Sequence, residues 1–513
     1  MNDSKLKKTT RNIFFGFALR ILQLILPFIA RTAIIKVLGM EYVGLNSLFT
    51  SILQVLNIAE LGVGFTLVYS MYKPICENDT PKICALMNLY RRYYNIIGLV
   101  ILILGIAISP FLPYLISGDV PADLNLYILY FLNLASTVFS YWLFAYRNCL
   151  FAAHQRNDII SKITFVINII TYSIQIILLF LFKNYYLYVV VIVVMQIASN
   201  MVVAFMSLKY YPNYKPAGFL EKQEQKQINR SVKDIFYGQI GFVVTNSVDA
   251  VVISAFLGLI PLALYQNYYF ILSALISFFT VFFQSMRAGI GTNLITKNKN
   301  ENYKDYKFVT FVVIGALSFC TPCLISLYQP FMKLWVGNDN MLDNYCVLLF
   351  GAFLVTYELC LAIGSYKDSS GIWHADRFRP LVTAITNLTL NIILVNIIGI
   401  YGILISTIVA YVLVNIPWLI VRVFKDIFEK NKMRNYILFL GKGLFTIVLS
   451  CTASFTICSL IQINNVFLEL GLKLLIVSAM SVVIFIAFYF KTEQFKKSVG
   501  IIKSKLFKNN KTV

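Results

Sequence analysis

The chain has 513 residues, 59% of them apolar and only 13% charged, about half the charged share of a soluble globular domain. That balance excludes an ordinary soluble enzyme, a disordered chain and a coiled coil. Forty-four Lys and Arg against 23 Asp and Glu give a net charge of +21, but a nucleic-acid binder presents its basic groups on a polar surface, and this chain has little polar surface.

Apolar runs of about 20 residues, long enough to cross a hydrocarbon core, recur from end to end. In chain order they predict fourteen spans, at 12–38, 43–72, 83–117, 123–146, 163–182, 185–208, 234–258, 260–286, 308–332, 341–366, 380–400, 401–421, 436–460 and 465–490. The eleventh and twelfth divide at Gly399–Gly402. A membrane strand needs only about 9–11 alternating residues, so runs this long and apolar on most faces are helices. The fold class is therefore an all-α polytopic membrane protein. The first run follows Lys5, Lys7 and Lys8 but is too long for a secretory h-region, so it reads as a retained anchor.

With the N-terminus inside, the presumed cytoplasmic segments hold 38 of the 44 basic residues. The loops Gly39–Val43, Ser117–Asn125 and Gly258–Pro261 hold none. The positive-inside rule then places both ends in the cytoplasm, and most of the +21 is an orientation signal facing anionic lipid. Lys496–Lys508 alternates basic and apolar residues, as an amphipathic helix on the inner leaflet does. Most of the nine cysteines lie within spans, including Cys320 and Cys323 of the one CxxC, and read as buried structural thiols. Two histidines, His154 and His374, make a histidine-based metal site improbable.

An internal repeat runs through the chain at an offset of 219 residues. It pairs Val37-Leu38-Gly39 with Phe256-Leu257-Gly258, Leu45 with Leu264, Asn168 with Asn387, and Arg11 with Arg230. Six spans per copy is an even number, so both copies keep one orientation about an axis along the membrane normal. The predicted organisation is an N-lobe (1–210, spans 1–6), a cytoplasmic linker (211–233), a C-lobe (234–425, spans 7–12), spans 13 and 14 (426–490) and a basic tail (491–513).

Ionisable groups at membrane depth are costly unless they face a cavity or a partner. In span 1, Arg20, Gln23, Pro27 and Arg31 fall within about 80° of one helical face, with the two arginines about 16 Å apart along the axis. Span 2 carries a stripe of Asn46, Thr50, Asn57, Glu60 and Gly64, and span 7 one of Asp234, Gly238, Gly241, Thr245 and Asp249. Gly and Thr at such spacing also serve close helix packing. Glu60 and Asp249 read equally as cation sites or as partners of arginines; Glu358 in span 10 is a weaker case of the same kind. Arg147 and Arg287 lie near inner ends, where snorkelling is cheap, and are candidate inner-mouth contacts. No nucleophile–base pair, phosphate loop or metal-ligand cluster stands out, and the loops are too short for a catalytic domain. Transport without a resident cofactor is the reading that remains.

Several segments carry a family resemblance: RTAIIKVLGMEYVGL at Arg31–Leu45, LNIAELGVGFTLVYSMYKPI at Leu56–Ile75, LMNLYRRYYNIIG at Leu86–Gly98, and RNCLFAAHQRNDII at Arg147–Ile160. LYQNYYFI at Leu264–Ile271, LWVGND at Leu334–Asp339 and SSGIWHADRFRPLVTAITNLTLNIILV at Ser369–Val395 continue it. In this order they resemble the bacterial polysaccharide flippases of the Wzx type, in the superfamily shared with multidrug-and-toxin extruders. The resemblance implies two six-helix lobes plus two C-terminal helices, working by alternating access in the bacterial inner membrane. The implied substrate is an undecaprenyl-pyrophosphate-linked oligosaccharide for O-antigen, capsule or exopolysaccharide, with polymerase and glycosyltransferases of the same pathway as partners.

The implied cationic cavity matches Arg20 and Arg31 as pyrophosphate ligands, with Gln23, Asn46, Asn57, Glu60 and Thr245 lining it. Asp249 or Glu60 is the candidate for coupling to H⁺ or Na⁺. A cation-coupled exporter of drugs or small amphiphiles is the alternative reading. A membrane-embedded polymerase is disfavoured by the short outside loops.

Overall fold

The computed structural model describes residues 22–508, except 119, 373–375, 462 and 464. Among the described residues every regular element is helical. Eleven helices are long and apolar enough to cross a membrane, or twelve if the bent pair Leu126–Trp142 and Ala145–Ala153 counts as one span. The protein is thus a multi-pass membrane protein. The expected fourteen is not reached by that measure, for two reasons. The first span is described only from residue 22, as helix α1 (22–37). The seventh is a shorter apolar stretch, Val243–Leu257, at the end of a long polar-to-apolar helix.

The chain divides into two compact units, Met1–Gln266 and Asn267–Val513. In the first unit, α1 leads into α2 (Met40–Leu56), a 3-10 turn (Asn57–Glu60) and α3 (Val63–Cys76). Next come α4 (Thr80–Ile108), α5 (Leu126–Trp142), α6 (Asn148–Ala153), α7 (Asn157–Phe182), α8 (Tyr185–Tyr210) and α9 (Lys222–Leu257). α8 packs on α5 and α7, α4 on α3 and α5, and α9 on α2. α10 (Leu259–Thr296) begins in this unit and continues into the second.

The second unit centres on α11 (Lys299–Val336), which packs on α12 (Asn344–Ser370), α16 (Met433–Ser459) and α17 (Val466–Tyr489). α13 (Arg379–Ile398) pairs with α14 (Ile400–Ala410). The expected division of spans 11 and 12 falls at Gly399, whose φ of 58° turns the chain. A π-helical turn (Tyr411–Asn415) joins α14 to α15 (Ile416–Asp426). α18 (Glu493–Lys508) ends the described chain where an amphipathic helix is expected, and Lys497 of α18 ion-pairs with Asp305 at 3.0 Å.

Short polar caps start many of the spans. Asp79, Asn125, Asn184, Asn298, Asp343 and Asn465 each accept a hydrogen bond from a backbone N–H of the helix they precede, satisfying donors that the first turn leaves open. Two pairs of glycine turns share the expected offset. Gly39 and Gly258, 219 residues apart, both have left-handed φ (119° and 98°), and each starts the next helix. Gly118 and Gly337 stand at the same offset with φ of 86° and 82°. Residues with a Cβ rarely adopt such angles, so both copies need glycine at these turns.

Candidate functional site

The second span is not a continuous helix. After α2 the chain tightens into the 3-10 turn Asn57–Glu60, then turns at Gly62 (φ 91°) before α3. A Cβ at Gly62 would lie 2.8 Å from the Val232 carbonyl oxygen of α9. Backbone conformation and close approach therefore both select glycine there.

Glu60 ends the 3-10 turn, and its carboxylate is held by tyrosines. Tyr94 donates to Oε1 at 2.7 Å, and Tyr141 lies 2.9 Å from Oε2 and 3.2 Å from Asn57 Oδ1. Tyr90 donates in turn to the Tyr94 hydroxyl at 2.8 Å. The Tyr90 and Tyr94 rings are 4.4 Å apart, and Tyr141 meets Tyr94 edge-on at 5.4 Å. All three tyrosines are buried and Glu60 is half-buried. Gly64 keeps the space open, since a Cβ there would lie 3.3 Å from the Tyr90 hydroxyl. Glu60 makes no ion pair with Lys or Arg among the described residues, so its charge is met only by hydroxyl dipoles.

The fourth span is broken as well. α5 and the helical stretch from Ala145 are bent by 47°, at Phe144, a non-glycine residue with φ of 59°. Arg147 ends the short 3-10 turn after the bend and is only 7% exposed. Its Nη1 is buried and has no hydrogen-bond partner among the described residues. The guanidinium lies 5.8 Å from the centre of the Tyr146 ring. Cys149, two residues on, is within electrostatic range of both Arg147 and Tyr90. Arg147 is therefore enclosed rather than snorkelling.

The remaining expected residues are placed as follows. Arg20 lies outside the described residues. Gln23 is exposed on α1, and Arg31 is half-buried within electrostatic range of Tyr188 on α8. Asn46 is half-buried and Thr50 exposed on α2, where the Thr50 hydroxyl donates to the Asn46 carbonyl. Thr245 and Asp249 are buried on α9, one turn apart, and the Thr245 hydroxyl donates to the Gly241 carbonyl. Glu358 is fully buried on α12, and neither carboxyl oxygen has a hydrogen-bond partner among the described residues.

Arg287 is exposed and lies 3.8 Å from Asp368. That pair borders a network in the second unit that the sequence reading did not single out. Lys367 contacts Asp368 at 2.9 Å and Asp376 at 2.7 Å. Arg379 donates through Nε to both Asp376 oxygens at 2.9 Å and through Nη1 to Asn415 in the π-helical turn. Asp376 and Lys367 are buried, so their charges stand on one another. Tyr90, Tyr94 and Tyr141 also escaped the sequence reading. The i, i+4 spacing of Tyr90 and Tyr94 in the third span was the signal available for two of them.

Among solved structures the chain resembles the lipid II flippase MurJ in an inward closed conformation, at a TM-score of 0.63 and 16% identity over 93% of this chain and 97% of that one. An inward-facing multidrug resistance MATE family transporter of the MOP superfamily matches at 0.61 and 14% identity, over 78% and 92%. The Vibrio cholerae MATE transporter VcmN in its bent form matches at 0.51 and 14% identity, over 85% and 100%. At these identities the likeness concerns the fold, which is MurJ- and MATE-like. No curated protein matches at the level of sequence. The profile of one protein family does match, over residues 9–286, more than half of the chain. With that match, the chain belongs to the polysaccharide biosynthesis protein family.

Proposed function

We propose that the protein is a flippase that carries undecaprenyl-pyrophosphate-linked oligosaccharide units across the bacterial inner membrane, for O-antigen, capsule or exopolysaccharide assembly. The observation that carries this reading is membership of the polysaccharide biosynthesis family, joined to a fold like that of a lipid II flippase. The chemistry of the first unit agrees with it. A pyrophosphate is multiply anionic, and guanidinium groups offer it bidentate, charge-assisted hydrogen bonds. Arg20 and Arg31 on span 1 are the proposed ligands. Arg147, with a buried open donor, is the proposed contact at the inner end. Gln23 and Thr50 are exposed within spans, where facing lipid would be costly, so they are assigned to a water-filled cavity with Asn46, Asn57 and Thr245.

Alternating access needs elements that bend, and the breaks at Glu60 and Phe144 supply them. Ionised, Glu60 can only accept hydrogen bonds; protonated, it donates one. A proton or Na⁺ on this carboxylate would therefore remake its bonds to Tyr94 and Tyr141 at the hinge of span 2. Asp249 is the second candidate for coupling.

The test is translocation in proteoliposomes. Lipid-linked oligosaccharide on the far leaflet is scored by a membrane-impermeant lectin, with Arg31→Glu beside the wild type. Loss of at least about tenfold, equal to 1.4 kcal/mol, with the fold intact supports the pyrophosphate assignment; unchanged flipping overturns it. The second reading, a cation-coupled exporter of amphipathic small molecules, draws on the uncompensated Glu60 and the MATE-like fold. It predicts drug accumulation on gene deletion with surface polysaccharide unchanged.

A further inference from the structure

A π-helical turn joins α14 to α15 within the twelfth span. Within it the Ile416 N–H donates to the Tyr411 carbonyl, five residues back, and Pro417 follows at the start of α15. Proline has no N–H to continue an i to i−4 ladder, and a wide turn accommodates that loss. Beside the turn lies an open groove of about 480 Å³ lined by Leu413, Val414, Pro417, Trp418, Val421, Arg422 and Lys425.

From Val414 these residues are spaced at i, i+3, i+4, i+7, i+8 and i+11, which is one face of a helix. The face is apolar for its first part, with Leu413 69% and Val421 53% exposed. It ends in two cations one turn apart. Lys425 is exposed and makes no ion pair among the described residues, and Arg422 has only a long contact, 3.9 Å, to Asp426. Among the described residues no carboxylate lines the groove itself, Asp426 lying against Arg422 at its end. From Leu413 to Lys425 it runs about 18 Å along the helix.

We propose that this groove is a binding site for an anionic phospholipid. One acyl chain lies along Leu413, Val414, Pro417 and Val421, and the phosphodiester sits between Arg422 and Lys425. Charge complementarity selects the occupant. Two cations receive a phosphate, while the absence of a lining carboxylate leaves the ammonium of a zwitterionic headgroup without a partner. A single helix face of this width holds a lipid chain rather than a protein partner. The same turn carries Asn415, the acceptor for Arg379, so the groove adjoins the Asp376 network. The site stands apart from the transported substrate and does not depend on its identity.

The experiment uses the purified full chain in delipidated micelles, titrated with phosphatidylglycerol or phosphatidylcholine brominated on the acyl chains. Quenching of Trp418 is isolated as the difference between wild type and Trp418→Phe. Half-quenching is expected at a mole fraction of phosphatidylglycerol at least fivefold lower than of phosphatidylcholine, and the Arg422→Gln/Lys425→Gln double variant is expected to erase that preference. Lys425→Gln alone, an exposed change that leaves the fold intact, is expected to reduce it at least twofold. Phosphatidylglycerol should also raise the melting midpoint by about 3 °C. Equal quenching by both lipids, or a preference that survives the double variant, overturns the proposal. So does displacement by soluble glycerol phosphate, which would mark a free-phosphate site, or stronger quenching relief by a polyprenyl phosphate, which would mark a route for the transported lipid.

Discussion

The two copies of the repeat use broken helices differently. In the first unit the breaks fall in spans 2 and 4, and each carries an ionisable group that makes no ion pair among the described residues: Glu60 among tyrosine hydroxyls, and Arg147 with a buried open Nη1. The spans at corresponding places in the second copy, α10 and α12, are continuous. There the break is the π turn in span 12, and the nearby charges are tied to one another through Asp376. Buried charges need a partner to be stable. The second unit provides partners at Asp376, and the first unit withholds them at Glu60 and Arg147. Groups left unsatisfied are where a substrate or a coupling ion gains most by binding. Glu358 is the exception in the second unit, enclosed but unpartnered.

This contrast can be broken by mutation. The largest expected effect is on stability. Asp376→Ala removes the carboxylate that the buried Lys367 shares with the half-buried Arg379, leaving Lys367 its contact to Asp368, at a cost of about 3 kcal/mol, read as loss of monodisperse protein and a lowered melting midpoint. Glu60→Gln is expected to keep the fold, because the amide oxygen still accepts one tyrosine, but to slow translocation about tenfold or more. A melting loss as large as that of Asp376→Ala would make Glu60 structural and dissolve the contrast. Arg147→Leu removes a buried charge, so stability should hold or rise, by up to about 2 kcal/mol, with the melting midpoint unchanged or higher, while flipping falls. A steep loss of stability instead would mean that Arg147 is paired in the working protein.

Smaller effects test the repeat. Gly39→Ala and Gly258→Ala each force a side chain into left-handed backbone, at about 1–2 kcal/mol. Gly258→Ala should cost more, because its Cβ would meet the Ser117 carbonyl oxygen at 2.6 Å, whereas nothing lies within 4 Å at Gly39. Equal losses would show that strain alone governs both turns. The smallest change is Arg287→Gln, within about 0.5 kcal/mol, since its contact to Asp368 is long and exposed.

By itself the sequence determined that the chain crosses a membrane many times as helices and roughly where many of the spans lie. Hydropathy accumulates over a local window, so some 20 consecutive residues suffice to read it. The glycine turns at 39 and 258 were legible because the conformation demands one residue type. The residue types of a polar site were also legible, since Glu60, Asn57 and Arg147 stand out in apolar runs. What those side chains meet was decided only by the tertiary structure. Glu60 finds Tyr94 34 residues away and Tyr141 81 residues away, and Arg379 finds Asn415 36 residues away. No window along the chain contains such pairs. Broken spans were hidden for the same reason, since hydropathy does not change where α2 gives way to a 3-10 turn or where Phe144 turns left-handed. Those breaks are set by packing, such as the approach of Val232 to Gly62, and packing exists only once the helices have met.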